Sequence, residues 1–151
     1  MNQKPTRPRL QIIRGLPGSG KTTLAVERYS HLMRLETDMF FARLGKYTFT
    51  LDLNRKAVQW FNKTVRDCCK AGMDFVVTGV FAAHTERLEK TIQTALDLGY
   101  DVYIKTLTKN YGNIHNVPKA HFDSMKASFV SERRLRCRLR HLKGVHFGLM
   151  R

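Results

Sequence analysis

The eight residues Gly15-Leu16-Pro17-Gly18-Ser19-Gly20-Lys21-Thr22 constrain this chain more than any other feature. They complete the pattern G-x-x-x-x-G-K-[ST], in which the backbone wraps around phosphate. The glycines let the chain curl so that successive N–H groups point inward with no side chain in the way. A helix starting at the end of the loop adds its unpaired N–H groups and the positive end of its dipole. Gly15, Pro17, Gly18, Ser19, Gly20, Lys21, Thr22 and Thr23 are therefore the expected phosphate-binding residues for ATP. Lys21 is placed to reach the β- and γ-phosphates, and the Thr22 hydroxyl to ligate Mg²⁺. The flanks supply the required context. Leu10-Gln11-Ile12-Ile13 reads as a short apolar strand before the loop, and 22–33 as a helix after it, with Leu24, Ala25, Tyr29 and Leu32 on one face.

Beyond the loop, strands alternate with helices, which predicts a parallel sheet covered on both faces. A second strand is expected near 34–37. Ala57, Trp60, Phe61, Thr64, Val65 and Cys68 mark a helix closing at Gly72, and Phe75-Val76-Val77 is the next buried strand. Thr85 is a candidate cap for a helix to Leu98, with Gly99 just past its end. Residues 100–107 alternate like a strand, and Pro118 suits the first turn of a helix over 121–130. In the tail, Leu135, Cys137 and Leu139 alternate with Arg134, Arg136, Arg138 and Arg140. That favours a strand with one arginine face, a helix being the alternative. Tyr47, Phe49, Trp60 and Phe61 are spaced like core residues. No repeat or Gly/Ser linker interrupts the chain, so 1–151 is expected to form a single domain with a basic segment from about 131.

Charge narrows the partners. Lys and Arg number 27 against 12 Asp and Glu, a net charge of +15. Such a field attracts polyanions, and nucleic acid bound non-specifically through its phosphates is the expected partner. The stretch 131–151 carries Arg133, Arg134, Arg136, Arg138, Arg140, Lys143 and Arg151 against Glu132 alone. With 42% hydrophobic and 26% charged residues the chain reads as globular, and no apolar run is long enough to span a bilayer. The start, MNQKPTRPRL, has no apolar segment behind its basic residues, so no secretory signal is expected. Cys68, Cys69 and Cys137 form no C-x-x-C pair and suit a reducing, cytoplasmic setting. His141 and His146 lack a partner at metal-ligand spacing, so Mg²⁺ with the nucleotide is the one metal expected.

The segments IIRGLPGSGKTTLA, ETDMFF, GKYTF, VVTGVFAAHTERLEKTIQTALDLGYDV and NIHNVP resemble the P-loop kinases around polynucleotide 5′-kinase, within the AAA-like P-loop group. The resemblance runs over about 10–130. It implies a three-layer α/β sandwich with a parallel sheet of about five strands, helices on both faces and a lid after the fourth strand. It also implies phosphoryl transfer from ATP to a hydroxyl, in the name-giving enzymes the 5′-hydroxyl of a polynucleotide. Lys21 and Thr22 match the phosphate and magnesium positions, and Asp38 matches the general base on the acceptor hydroxyl. A carboxylate there can accept the hydroxyl proton and orient it for in-line attack.

Three positions depart from the family pattern. Phe41 stands where the family has an arginine that grips substrate phosphate. Gly79 stands where it has an aspartate near magnesium. No arginine occurs from Leu88 to Glu132, where the family's lid carries one. Lys109 is the nearest lid cation, a point charge rather than a bidentate fork. His115, Asn116 and Pro118 read as lid-shaping residues. Three functions fit these features: an ATP-dependent kinase acting on a nucleic acid or nucleotide hydroxyl, a catalytically weak nucleotide-binding regulator with a basic surface, and a small-molecule kinase.

Overall fold

Leu10, Ile12 and Ile13 are fully buried because their strand, β1 (Arg9–Gly15), runs between two neighbours in the middle of a sheet. In this computed structural model, residues 5–43, 50–81, 85–112 and 117–151 are described. Among them, β2 (Met33–Leu35), β3 (Phe75–Gly79), β4 (Asp101–Leu107) and β5 (Val145–Phe147) join β1 in the order β2-β3-β1-β4-β5. Every pairing is parallel, with Ile12 opposite Val77 on one side and Ile104 on the other. Parallel neighbours need crossovers, and helices supply them. These are α1 (Lys21–Tyr29), α2 (Asp38–Arg43), α3 (Leu51–Ala71), α4 (Glu86–Asp97), α5 (Lys119–Ser128) and α6 (Glu132–Leu139).

The side-chain alternation of the strands sorts the core into two layers. Leu10, Ile12, Phe75, Val77, Val102 and Ile104 pack with Phe61 and Val65 of α3, Leu88 and Ile92 of α4, and Leu135 and Leu139 of α6. On the other face Ile13 and Val76 meet Ala25 and Tyr29 of α1, together with Met150. Gln11 is buried on that face without an unpaired group. Its Nε2 donates to the carbonyls of Tyr103 and Gly148, while its Oε1 accepts from the Tyr29 hydroxyl and the Met150 N–H.

Local signals set the helix limits. Thr50 caps α3 by accepting from Leu53 N at 3.1 Å, and Gly72, at φ 70°, ends it by donating to the Cys69 carbonyl. Thr85 does not cap α4. Its backbone is helical, and its hydroxyl instead donates to Glu89 Oε1 and accepts from Arg138. The tail corrects the expected strand: 132–139 is helical, with Ser131 accepting from Arg134 N as its cap. Leu135 and Leu139, four apart, face the core while Cys137 is exposed, so the period that holds is 3.6 rather than 2. The fifth strand comes later, at Val145–Phe147. Phe61 and Trp60 pack in or against the core, whereas Tyr47, Phe49, His115 and Asn116 lie outside the described residues.

The end of β3 shows why no acid occupies position 79. A Cβ at Gly79 would stand 2.7 Å from the Phe81 ring. Phe81 itself takes a left-handed backbone, φ 45°, which a bulky residue adopts only when its surroundings hold it there. Gly79→Asp is expected to lower stability by about 1–3 kcal/mol through overpacking. The same change in a Phe81→Ala background should cost clearly less. Denaturant titration of the four-variant cycle measures this, and equal costs would mean that the ring is not what excludes the side chain.

Candidate active site

The loop between β1 and α1 is shaped by contacts that only glycine allows. A Cβ at Gly15 would stand 2.3 Å from Ser19 Oγ, and one at Gly18 would stand 2.1 Å from the Gly112 carbonyl oxygen. Gly18 and Gly20 both have left-handed backbones, at φ 80° and 88°. Ser19 N donates to the Leu16 carbonyl, and Ser19 Oγ is buried without a partner. Pro17 is buried beneath the loop, and Thr23 is exposed on the first turn of α1.

Lys21 opens α1 and its Nζ donates to the Leu16 carbonyl at 3.0 Å, so the ammonium sits over the loop's own backbone. Burial brings its pKa down from 10.5 to about 8, against the pull of Glu36 and Asp38, which favour the charged form. Both acids lie on the segment leaving β2. The Thr22 hydroxyl donates to Glu36 Oε1 at 3.2 Å, and Glu36 is ion-paired with Arg34 Nε at 3.3 Å. Asp38, the expected base, opens α2 and is exposed. The structure thus brings Lys21, Thr22 and Asp38 to one end of the sheet. Lys109 is exposed after β4, at the start of the segment whose Asn110 and Gly112 lie against Gly18. Tyr111 of the same segment donates its backbone N–H to the Gly18 carbonyl at 2.8 Å.

Sequence reasoning missed three residues here. Glu36 gave a faint signal, two positions before Asp38, but its bond to Thr22 needs the strand order to be known. Arg87 lies one residue before the arginine-free stretch. It donates to the Thr37 hydroxyl from the first turn of α4, with its guanidinium 4.5 Å from the Phe61 ring centre and 5.5 Å from that of Phe81. Burial lowers its pKa while Asp38 favours its charge, which puts a cation beside the candidate base from an element other than the expected one. Phe41, by contrast, is buried.

Arg14 is the third. It is fully buried at the end of β1, where its Nη2 donates to the carbonyls of Phe81 at 3.2 Å and Val130 at 2.6 Å. Its Nη1 reaches Thr106 Oγ1 at 3.3 Å, and the Phe129 ring lies 4.3 Å from the guanidinium carbon. Burial pulls its pKa down to about 10, so it is still charged at neutral pH.

As oxygen donors at the mouth of the loop, Thr22 and Glu36 fit magnesium, which takes carboxylates, hydroxyls and phosphate oxygens. No cluster of three His, Cys, Asp or Glu suited to another metal occurs among the described residues, and no helix among them is long and apolar enough to cross a membrane.

Similar solved structures share this architecture. One is a kinase-like protein from Chloroflexus aurantiacus j-10-fl, at 20% identity and TM-score 0.55, covering 70% of this chain and 62% of that one. A chain of the Pnkp1/Rnl/Hen1 complex gives 19% identity and TM-score 0.58, covering 87% of this chain and 43% of that one. A gluconokinase from Sinorhizobium meliloti 1021 gives 13% identity and TM-score 0.55, covering 93% and 82%. The chain therefore spans less than two thirds of the length of the first two, and at these identities the likeness is one of fold. The sequence profile of the AAA domain family matches residues 10–110, from the first strand through the loop to the end of the fourth. With more than half its length matched, the chain belongs to that AAA domain family.

Proposed function

We propose that this chain is an ATP-dependent kinase that transfers the γ-phosphoryl group to a hydroxyl acceptor, the 5′-hydroxyl of a polynucleotide or nucleotide. The observation that carries the reading is the approach of the segment leaving β2 to the loop, where the Thr22 hydroxyl donates to Glu36 Oε1 at 3.2 Å two residues before Asp38 opens α2. In the transfer, the acceptor oxygen forms a bond to the γ-phosphorus as the bond from that phosphorus to the β,γ-bridging oxygen breaks. The hydroxyl proton passes to the Asp38 carboxylate, and ADP leaves with the bridging oxygen. Gly18 and Gly20 turn the loop so that its free backbone N–H groups face the phosphates, and Lys21 supplies the charge between β and γ. Magnesium held at Thr22 would offset phosphate charge. Arg87 braces Thr37, beside the base.

A regulator that binds ATP without turning it over is the second reading. The Phe81 ring against Gly79 favours it, since the acid found there in the resembled kinases has no room. Transfer of labelled γ-phosphate to an oligonucleotide with a 5′-hydroxyl, against mononucleotides and sugars, separates the two readings and the small-molecule alternative. The basic surface fits a polynucleotide. Arg133, Arg134 and Arg140 of the α6 region are exposed, and Ser131, Arg133, Arg134, Cys137 and Arg138 line an open groove. Arg136 and Arg138 are partly engaged within the fold, by Glu132 and Phe147 and by Thr85.

Lys21→Ala is expected to weaken Mg·ATP binding at least tenfold, about 1.4 kcal/mol. In the native chain, ATP affinity should fall as pH rises through about 8, because the free ammonium loses its proton there while bound phosphate would hold it charged. Calorimetry across this range should show that fall in the native chain and a flat profile for Lys21→Ala. Asp38→Asn should keep Mg·ATP affinity within a few-fold while transfer drops by about 10²–10⁴. Normal transfer by this variant would move the base elsewhere. Replacing Arg133, Arg134 and Arg140 with Gln should flatten the log–log salt dependence of single-strand binding by about two units, at about 0.7 for each phosphate neutralised. Fluorescence anisotropy reads the slope, and an unchanged value would reduce this face to a solvated surface.

A further inference from the structure

We infer that Glu36 is the carboxylate that organises magnesium with ATP in this chain, taking at the end of β2 a role that the end of β3 has no room for. This rests on the reading of the loop as a Mg·ATP site. Three independent observations meet at this residue. Thr22, the loop's hydroxyl, already donates its proton to Glu36 Oε1 at 3.2 Å. A hydroxyl has one proton and two lone pairs, so committing the proton to a carboxylate leaves the oxygen free to face a cation. The bond from Thr22 brings the Glu36 carboxylate to the first turn of α1, next to Lys21.

The second observation concerns the competing position. At Gly79 a Cβ would meet the Phe81 ring at 2.7 Å, with further ring atoms at 3.1 Å, so a side chain there would require the Phe81 ring to move. The third is the setting of Glu36 itself. It is half-buried, with a side-chain exposure of 21%, and Arg34 Nε lies 3.3 Å away. Arg34 Nε and the Thr22 hydroxyl both approach Oε1, which fixes that oxygen and leaves Oε2 without a hydrogen bond or ion pair among the described residues, available to a metal-bound water. Outer carboxylates of this kind orient the inner ligand and tune metal affinity.

The test compares ATP binding by calorimetry at pH 7, with magnesium and with the metal chelated, for the native chain, Glu36→Gln and Glu36→Asp. In Glu36→Gln the affinity gained on adding magnesium should fall about tenfold or more, while metal-free ATP affinity stays equal or rises. Glu36→Asp, which keeps the charge, should recover part of the gain. Electron paramagnetic resonance of Mn²⁺ with a non-hydrolysable ATP analogue should show the same order of metal affinities without any turnover. An unchanged magnesium gain in Glu36→Gln overturns the inference. So does loss of metal-free ATP binding in that variant, since Glu36 would then be holding the loop rather than the metal. A native chain that binds no ATP under either condition overturns instead the reading of the loop on which this rests.

Discussion

A buried guanidinium holds the business end of this molecule together. Arg14 lies at the last turn of the central strand with no exposed surface, and its donors go to carbonyls on the segment after β3 and before α6 and to a hydroxyl on β4. Removing it would leave those carbonyls without partners, and each such buried group costs about 1–3 kcal/mol. No carboxylate pairs with it directly. Charge in a buried place is tolerated here because backbone dipoles and an aromatic face surround it. The phosphate loop begins at the next residue, Gly15, so the position of the loop relative to three other segments is set by this one side chain.

The charges around the loop are arranged against the sign of the whole. The chain carries +15, yet Glu36 and Asp38 crowd the loop's lysine. This local pair keeps Lys21 protonated more than burial alone would allow. Part of the positive excess, +6 of the +15, lies in 131–151, on α6 and the segment after it. The basic segment and the loop's lysine with its two acids thus belong to different elements of the fold.

Much of the fold was legible because its signals are local. The loop octapeptide, the apolar runs at Ile12 and Val76, and the glycines that close α3 and follow α4 each depend on neighbouring residues only. The α6 helix was misread because arginines at 134, 136, 138 and 140 impose a visible period of two, whereas burial follows Leu135 and Leu139. β5 has three residues and partial burial, too little pattern to find. At the site, Lys21 and Thr22 could be proposed from the spacing of the loop motif, and Asp38 from the family resemblance. Glu36, Arg87 and Arg14 could not, since what makes each of them matter is a partner on another element.

Gln11 adds a kinetic consequence. Its amide reaches its full set of partners only when Gly148 and Met150 arrive, the latter from 139 positions along the chain. The first strand is thus completed by residues far along the chain. Contacts of such long range are entropically costly to close and slow to form. Until they close, Gln11 must stay hydrated or be left unsatisfied, which keeps the α1 face of the sheet open. The seal over the α1 face, beside the phosphate loop, therefore depends on a pairing between two segments at opposite ends of the folded unit.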